Sequence, residues 1–218
     1  MVLCGLEGHD AVTGNRGASN FVLKYECVEM NAANLVMIFW VTFALVWLLT
    51  SVNTKRTEQR APLPSRLVYG IPVCLGGYLL SNDNHLPWFR SLRLLPSNPA
   101  MDAVGLLLTA AGIALAIWAR MYLGTNWSSA VSIKVGHELV RTGPYAWVRH
   151  PIYSGLLIAL LGTAIERGKT IGLLAIVLFW LGFWIKSRME ERFMRNTFGQ
   201  EYDAYSQATG GLIPRLRL

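Results

Sequence analysis

Apolar residues fall along the chain in five runs separated by polar and basic stretches. The first, from Asn34 to Val52, is 19 residues without a charge, long enough to cross about 30 Å of hydrocarbon as a helix. A second runs from Ala100 to Leu123, with Asp102 and Arg120 near its ends, where charged heads reach the interface cheaply. A third runs from Thr170 to Lys186. Two further runs are weaker. Leu67 to Leu80 contains Pro72 and the pair Gly76-Gly77, and Ile152 to Ile165 is only 14 residues, so length alone also fits buried soluble helices. In a chain this apolar both read as spans, and Glu166 to Lys169 makes a short polar turn that joins the last two into a helical hairpin.

Beyond Lys186, Met189 and Phe193, then Met194 and Phe198, repeat at i, i+4, which predicts an amphipathic helix stopped by Gly199. The expected fold class is therefore an all-α integral membrane protein with about five transmembrane helices and a C-terminal cytoplasmic amphipathic helix. All 218 residues make one membrane domain, with residues 1–33 outside the membrane before the first span.

Composition supports this. Apolar residues make up 53% of the chain and charged ones 15%, against roughly 25% charged in average soluble domains. The mean hydropathy is +0.35. Disorder, collagen-like repeats and a disulfide-stapled miniprotein are excluded. Three cysteines and four histidines offer no zinc-ligand spacing; Cys4 and Cys27 could pair on an oxidising side and otherwise read as idle thiols. The first thirty residues lack the pattern of a cleavable signal peptide.

The net charge of +7 raises nucleic acid as a partner, but its distribution answers otherwise. Fourteen basic residues fall in three places: the loop from Asn53 to Arg66, the segment from Arg120 to His150, and the tail from Lys186. Six fall in the remaining segments. The positive-inside rule then puts the N-terminus outside and the C-terminus in the cytoplasm. Topology accounts for the excess charge, and neither nucleic acid nor a metal is expected.

Chemistry-capable side chains concentrate on that cytoplasmic side. Gly136 to Gly155 (GHELVRTGPYAWVRHPIYSG) holds His137, Glu138, Arg141, Tyr145, Arg149, His150 and Tyr153. Gly143-Pro144 marks a turn, and Pro151 suits the first position of the next helix, whose unpaired N–H groups would favour an anion. Arg149 and His150 also fit a plain interfacial role, setting helix depth. Glu190-Glu191 follows the last span. Adjacent helical residues point about 100° apart, so one carboxylate is free to face a pocket while its neighbour meets Arg188, Arg192 or water. At the end of the Ala100–Leu123 span, Arg120, Asn126 and Trp127 form a polar-aromatic cluster suited to anchoring the helix or meeting an acidic substrate. Tyr202 and Tyr205 read as packing residues.

The order of these motifs resembles the isoprenylcysteine carboxyl methyltransferase and phospholipid methyltransferase superfamily. The likeness rests on LGTNWS, on HELVRTGPYAWVRHPIYSG, on an apolar hairpin, and on EERFMRNTFGQEYDAY ending in Ile213-Pro214. It covers about Ala116 to Pro214 and makes 120–214 the core of the enzyme, after spans in 34–119. The resemblance implies S-adenosylmethionine as methyl donor, S-adenosylhomocysteine as product, and a lipid or lipophilic small molecule as acceptor: a phospholipid amine, a thioether-linked carboxylate, or a hydrophobic amine or thiol. Carried over by position, it implies that His137, Leu139, Val140, Gly143, Tyr145, His150, Pro151, Tyr153, Glu190 and Glu191 hold the cofactor. Arg149, His150 and Glu190 would be catalytic, and Arg120, Asn126 and Trp127 would bind the acceptor. Two other readings stand beside it. One is an NADPH-dependent sterol-reductase-like enzyme, with Arg192 and Arg195 available for the 2′-phosphate. The other is a membrane scaffold without activity.

Overall fold

The computed structural model describes residues 2–10, 21–29, 31–51, 57–60, 62–81, 93–127, 132–134 and 138–215. Each expected span is a helix: α1 (Ala32–Ser51), α2 (Leu63–Ser81), α3 (Pro99–Leu123), α4 (Pro151–Arg167) and α5 (Ile171–Phe198). A short α6 (Gln200–Ala208) follows. Local chemistry sets the boundaries. Asn98 caps α3 by accepting from the Met101 N–H at 2.9 Å, with Pro99 in the first turn, and Pro151 opens α4 in the same way. Gly168 in the left-handed region ends α4 and sets the hairpin to α5.

Two strand pairs were not expected from the sequence. β1 (Val2–Asp10) and β2 (Phe21–Glu29) pair antiparallel, with Cys4 opposite Cys27. β3 (Thr57–Arg60) and β4 (Ser132–Lys134) tie the segment after α1 to the segment after α3. The amphipathic stretch after Lys186 also differs. It is the unbroken continuation of α5, because nothing between Lys186 and Phe198 breaks a helix, and Gly199 at φ +52° ends it. Tyr202 and Tyr205 lie on α6.

By length and apolar character, four helices of the described residues are able to cross a bilayer: α1, α2, α3 with its terminal turn, and α5. At 17 residues α4 is shorter and sits at the centre, packed on α3, α5 and α1, while α2 covers α5. Side chains facing away from this core are apolar, as at Leu49 (76% exposed) and Leu107 (69%). A water-soluble surface would not present such residues in helical stripes, and lipid accounts for them. The chain is an integral membrane protein.

Small residues let α3 and α4 approach closely, as membrane helix pairs do without a hydrophobic drive between them. Gly105 and Gly112 of α3 face Gly162 and Gly155 of α4. Buried hydroxyls on this seam are satisfied: Thr109 and Thr163 donate to the carbonyls of Gly105 and Ala159, and the Trp40 indole N–H donates to Thr163 Oγ1 at 3.0 Å. The seam therefore fixes the height of α4, and with it the height of His150 and Tyr153 at its start.

Candidate functional site

The segment ahead of α4 forms a tight turn over Gly143–Ala146. Gly143 sits at φ +59°, and a Cβ there would lie 2.7 Å from the Tyr122 ring, so no other residue fits without strain. The turn brings Tyr145 inward, where its OH donates to the Ala119 carbonyl at 3.3 Å and its own carbonyl accepts from Tyr205 OH at 2.7 Å. Burial pushes the Tyr145 phenol well up, and the negative charge of Glu190 adds to it. Tyr205 is pushed up to about 12, mainly by burial, so both phenols keep the protons these bonds need.

The C-terminal segment straps across the start of α4. The Arg149 N–H donates to Gly210 O at 2.9 Å, His150 N–H donates to Gly211 O at 3.2 Å, and Ser154 Oγ donates to Leu212 O at 2.6 Å. The Arg149 side chain binds the same strap, with Nη1 donating to the carbonyls of Ser206 (2.9 Å) and Thr209 (2.5 Å). Its Nε and Nη2 both reach Glu191 Oε1 at 2.9 Å. Arg149 and Glu191 thus form a largely buried ion pair at the site.

His150 lies between the two carboxylates. Nε2 is 3.3 Å from Glu191 Oε1, and Nδ1 is 3.5 Å from Glu190 Oε2. Glu190 also accepts from Tyr153 OH at 2.7 Å. The Tyr153 ring stacks between His150 and Phe183, with centroids 5.6 and 5.2 Å away. Burial by itself would depress the imidazole, but hydrogen bonds and charge from Glu190 and Glu191 outweigh it, and His150 titrates above its ordinary value. Such a group contributes stability fully below its unfolded pKa of about 6.5 and loses that contribution as pH rises through the raised folded value. Thermal midpoints in detergent should therefore fall as pH climbs from about 6 into the alkaline range. His150→Gln should flatten that slope, and an unchanged slope in the variant would refute the assignment.

These elements enclose a cavity of about 260 Å³. Glu190, Lys186 and Phe183 line it from α5, and His150, Ile152 and Tyr153 from α4. Leu139, Val140, Tyr145 and Arg149 also line it, together with Trp47 of α1 and Leu123, Asn126 and Trp127 at the end of α3. Most residues expected to hold a ligand are thus brought together. Glu190 and not Glu191 faces the cavity. Gly143 and Pro151 shape the backbone without lining it, and His137 lies outside the described residues.

Arg120 is placed differently. It is 2% exposed and off the cavity wall, with its guanidinium 4.3 Å from the Trp127 ring centroid. Nη1 donates to Gly124 O at 2.9 Å and Nη2 to Thr50 O at 2.5 Å, so it clamps the ends of α1 and α3 together. Arg195 donates to Asp203 at 2.7 Å on α6, an exposed pair, and does not line the cavity. Lys186 was missed as a site residue. Its one sequence signal is a spacing of four before Glu190, which puts both on one helix face.

A family model described as phospholipid methyltransferase matches residues 101–201, from the first turn of α3 to the start of α6. A probable protein-S-isoprenylcysteine O-methyltransferase of Oryza sativa subsp. indica is 32% identical over 114 residues, 51% of this chain and 60% of the relative. Over this segment the chain is similar to the isoprenylcysteine carboxyl methyltransferase and phospholipid methyltransferase superfamily. Another relative in the superfamily, the protein-S-isoprenylcysteine O-methyltransferase of Mus musculus, is 30% identical over 120 residues, 54% of this chain and 42% of that protein. The chain thus spans between about two fifths and three fifths of the length of these relatives. Its fold is similar to the solved structure of a eukaryotic intramembrane Ras methyltransferase, with a TM-score of 0.54 at 22% identity, covering 84% of this chain and 64% of that one. The superfamily segment contains the whole α3–α4 seam and both carboxylates of the site.

Proposed function

We propose that this chain transfers a methyl group from S-adenosylmethionine to a lipophilic acceptor that reaches the site from the bilayer. The first acceptor class is the carboxylate of an S-isoprenylcysteine, the substrate named for the relatives. One observation carries the reading: His150 and Tyr153 from α4 and Glu190 from α5 meet in a cavity that is also lined by the Trp47 and Trp127 indoles and by aliphatic side chains. That cavity offers polar, anionic groups to a cationic nucleoside and apolar ones to a lipid.

The side chains suit such a donor. Glu190 keeps its carboxylate on the cavity while Tyr153 and His150 hold it in place, ready to accept from ribose hydroxyls or an amine. Leu139 and Val140 line the cavity, and by resemblance they and His137 would meet the cofactor there. When bound, S-adenosylmethionine supplies a methyl group on a positively charged sulfur. The reaction is an in-line displacement, so holding the acceptor in line supplies much of the rate. A carboxylate acceptor has no proton to lose, so a general base is not required; for an amine acceptor, Glu190 or His150 would take the proton.

The cation that orients an acceptor carboxylate is Lys186. Its ammonium lines the cavity 5.3 Å from the Tyr153 ring centroid; Arg149 lines the same cavity while holding Glu191 and the C-terminal strap. Trp127 and Asn126 complete the acceptor wall. The positive-inside distribution favours a cytoplasmic position for this end of the bundle and the C-terminus, in an inner, plasma or endoplasmic-reticulum-type membrane.

Purified protein in detergent, incubated with labelled S-adenosylmethionine and a membrane extract, should label a lipophilic product. S-adenosylhomocysteine should raise the unfolding temperature and NADPH should not. Stabilisation by NADPH alone would overturn the reading.

A further inference from the structure

The C-terminal part of α5 carries two working faces. Phe183, Lys186, Glu190 and Met194 line the candidate site, while Trp184, Arg188 and Arg192, spaced by four, form a second stripe. That stripe borders a separate groove of about 460 Å³ between α5 and the first turns of α2, where Ser65 and Val68 line it. The groove and the cavity of the candidate site share no lining residue.

The lining changes character along α5. Trp184 is 45% exposed and stacks on Trp180 at 6.2 Å, and Val68 of α2 is 56% exposed. These side chains open the groove to lipid, with an indole pair of the kind the membrane interface selects. One and two turns further on stand Arg188 and Arg192, both exposed. Residues four apart on a helix are neighbours, so the two guanidinium groups can share one anion. Neither is firmly held by the protein. Arg188 Nη1 makes a loose contact with Glu191 Oε2 at 3.6 Å, whereas Arg149 holds the other oxygen of Glu191 at 2.9 Å. Among the described residues no carboxylate pairs with Arg192. The Ser65 hydroxyl donates to Pro62 O at 2.7 Å, so recognition of an anion falls on the arginines.

A molecule that fills this groove is apolar beside Val68, Trp184 and Ile185 and anionic one to two turns beyond, with oxygens that suit a guanidinium fork. The phosphate and acyl chain of a membrane lipid meet both conditions. Charge then chooses among lipids, because a zwitterionic headgroup brings its own cation to the arginine pair and an anionic one does not. We propose that the α2–α5 groove binds an anionic phospholipid, with an acyl chain along Val68, Trp184 and Ile185 and the phosphate between Arg188 and Arg192. The lipid is distinct from the methyl acceptor, joins α2 to α5, and binds whether or not the chain transfers methyl groups.

Native mass spectrometry of the purified protein in neutral detergent, titrated with dioleoylphosphatidylglycerol or dioleoylphosphatidylcholine, tests the site. The first should bind about tenfold more tightly than the second and should raise the unfolding temperature by about 3 °C. Arg188→Gln/Arg192→Gln should bring the two affinities within about twofold. Arg141→Gln/Arg215→Gln removes the same charge from exposed positions off the groove and should leave the preference within about twofold of its original value. Equal affinity for the two lipids in the unaltered protein overturns the proposal, and that comparison needs no variant to fold. Equal loss of the preference in both double variants also overturns it, by reducing the effect to general attraction towards a basic surface. Displacement of the lipid by inorganic phosphate at matched ionic strength would make the occupant a free phosphate and overturn the lipid.

Discussion

Glu190→Gln should weaken S-adenosylhomocysteine binding by about 100-fold while moving the unfolding temperature little. The carboxylate faces the cavity with its side chain 21% exposed, and its inner contacts are Tyr153 OH at 2.7 Å and His150 Nδ1 at 3.5 Å. Glutamine keeps an oxygen for Tyr153 but loses the charge. Hydrogen bonds to a charged group contribute about 1.5–3 kcal/mol, and a 100-fold loss is about 2.7 kcal/mol, so one or two such bonds to the ligand account for it. Glu191→Gln makes the contrast. Glu191 is 6% exposed, turned from the cavity, and holds Arg149 and His150. Its loss leaves Arg149 buried without its carboxylate, so the unfolding temperature should drop first, with about 3 kcal/mol or more at stake. Calorimetry and thermal unfolding of both variants in the same detergent separate the roles. Equal effects of the two on both readouts would mean that the doublet is architectural.

That division of labour shows what the sequence could and could not carry. Adjacent glutamates on a helix must diverge, so it was legible that only one would face a ligand. Which one depended on Arg149, 42 residues earlier in contact with Glu191, and on a strap that closes only when Gly210 pairs with Val148. The helices themselves were legible because lipid leaves a spanning backbone few alternatives, and a long charge-free run then has one outcome. Strand pairs of three to nine residues carry no comparable constraint, and their pairing is decided by register with a distant partner. Arg120 shows the same limit. An arginine ending an apolar helix reads alike whether it anchors, binds a ligand or caps. The carbonyl of Thr50, 70 residues away, decides between them. Lys186 reads from sequence as the end of a hydrophobic run and one of the basic residues of the tail, since a lysine there is what the interface ordinarily selects.

Gly112→Val should be among the most damaging substitutions in the chain, although Gly112 touches no ligand-facing group. A Cβ at this position would lie 2.3 Å from Ala159 N and 2.5 Å from Gly155 O, both main-chain atoms that cannot swing aside. Gly155 mirrors the problem, its own Cβ falling 2.6 Å from Gly112 O. Relief requires α3 and α4 to separate along the seam that sets the height of His150 and Tyr153. Overpacking usually costs about 1–3 kcal/mol, and a clash of backbone on backbone belongs at or above the top of that range. The damage should reach the site. Ala119, two turns beyond Gly112, accepts the Tyr145 hydroxyl, so parting the helices releases the turn that roofs the cavity. S-adenosylhomocysteine should then bind poorly even to the fraction that stays folded. Gly70→Ala supplies the control, since its Cβ meets nothing within 4 Å on an outward part of α2 and alanine is the better helix former by about 1 kcal/mol. Should Gly112→Val unfold at the temperature of the unaltered protein and Gly70→Ala at a lower one, close approach of these two helices would not be what holds the site together.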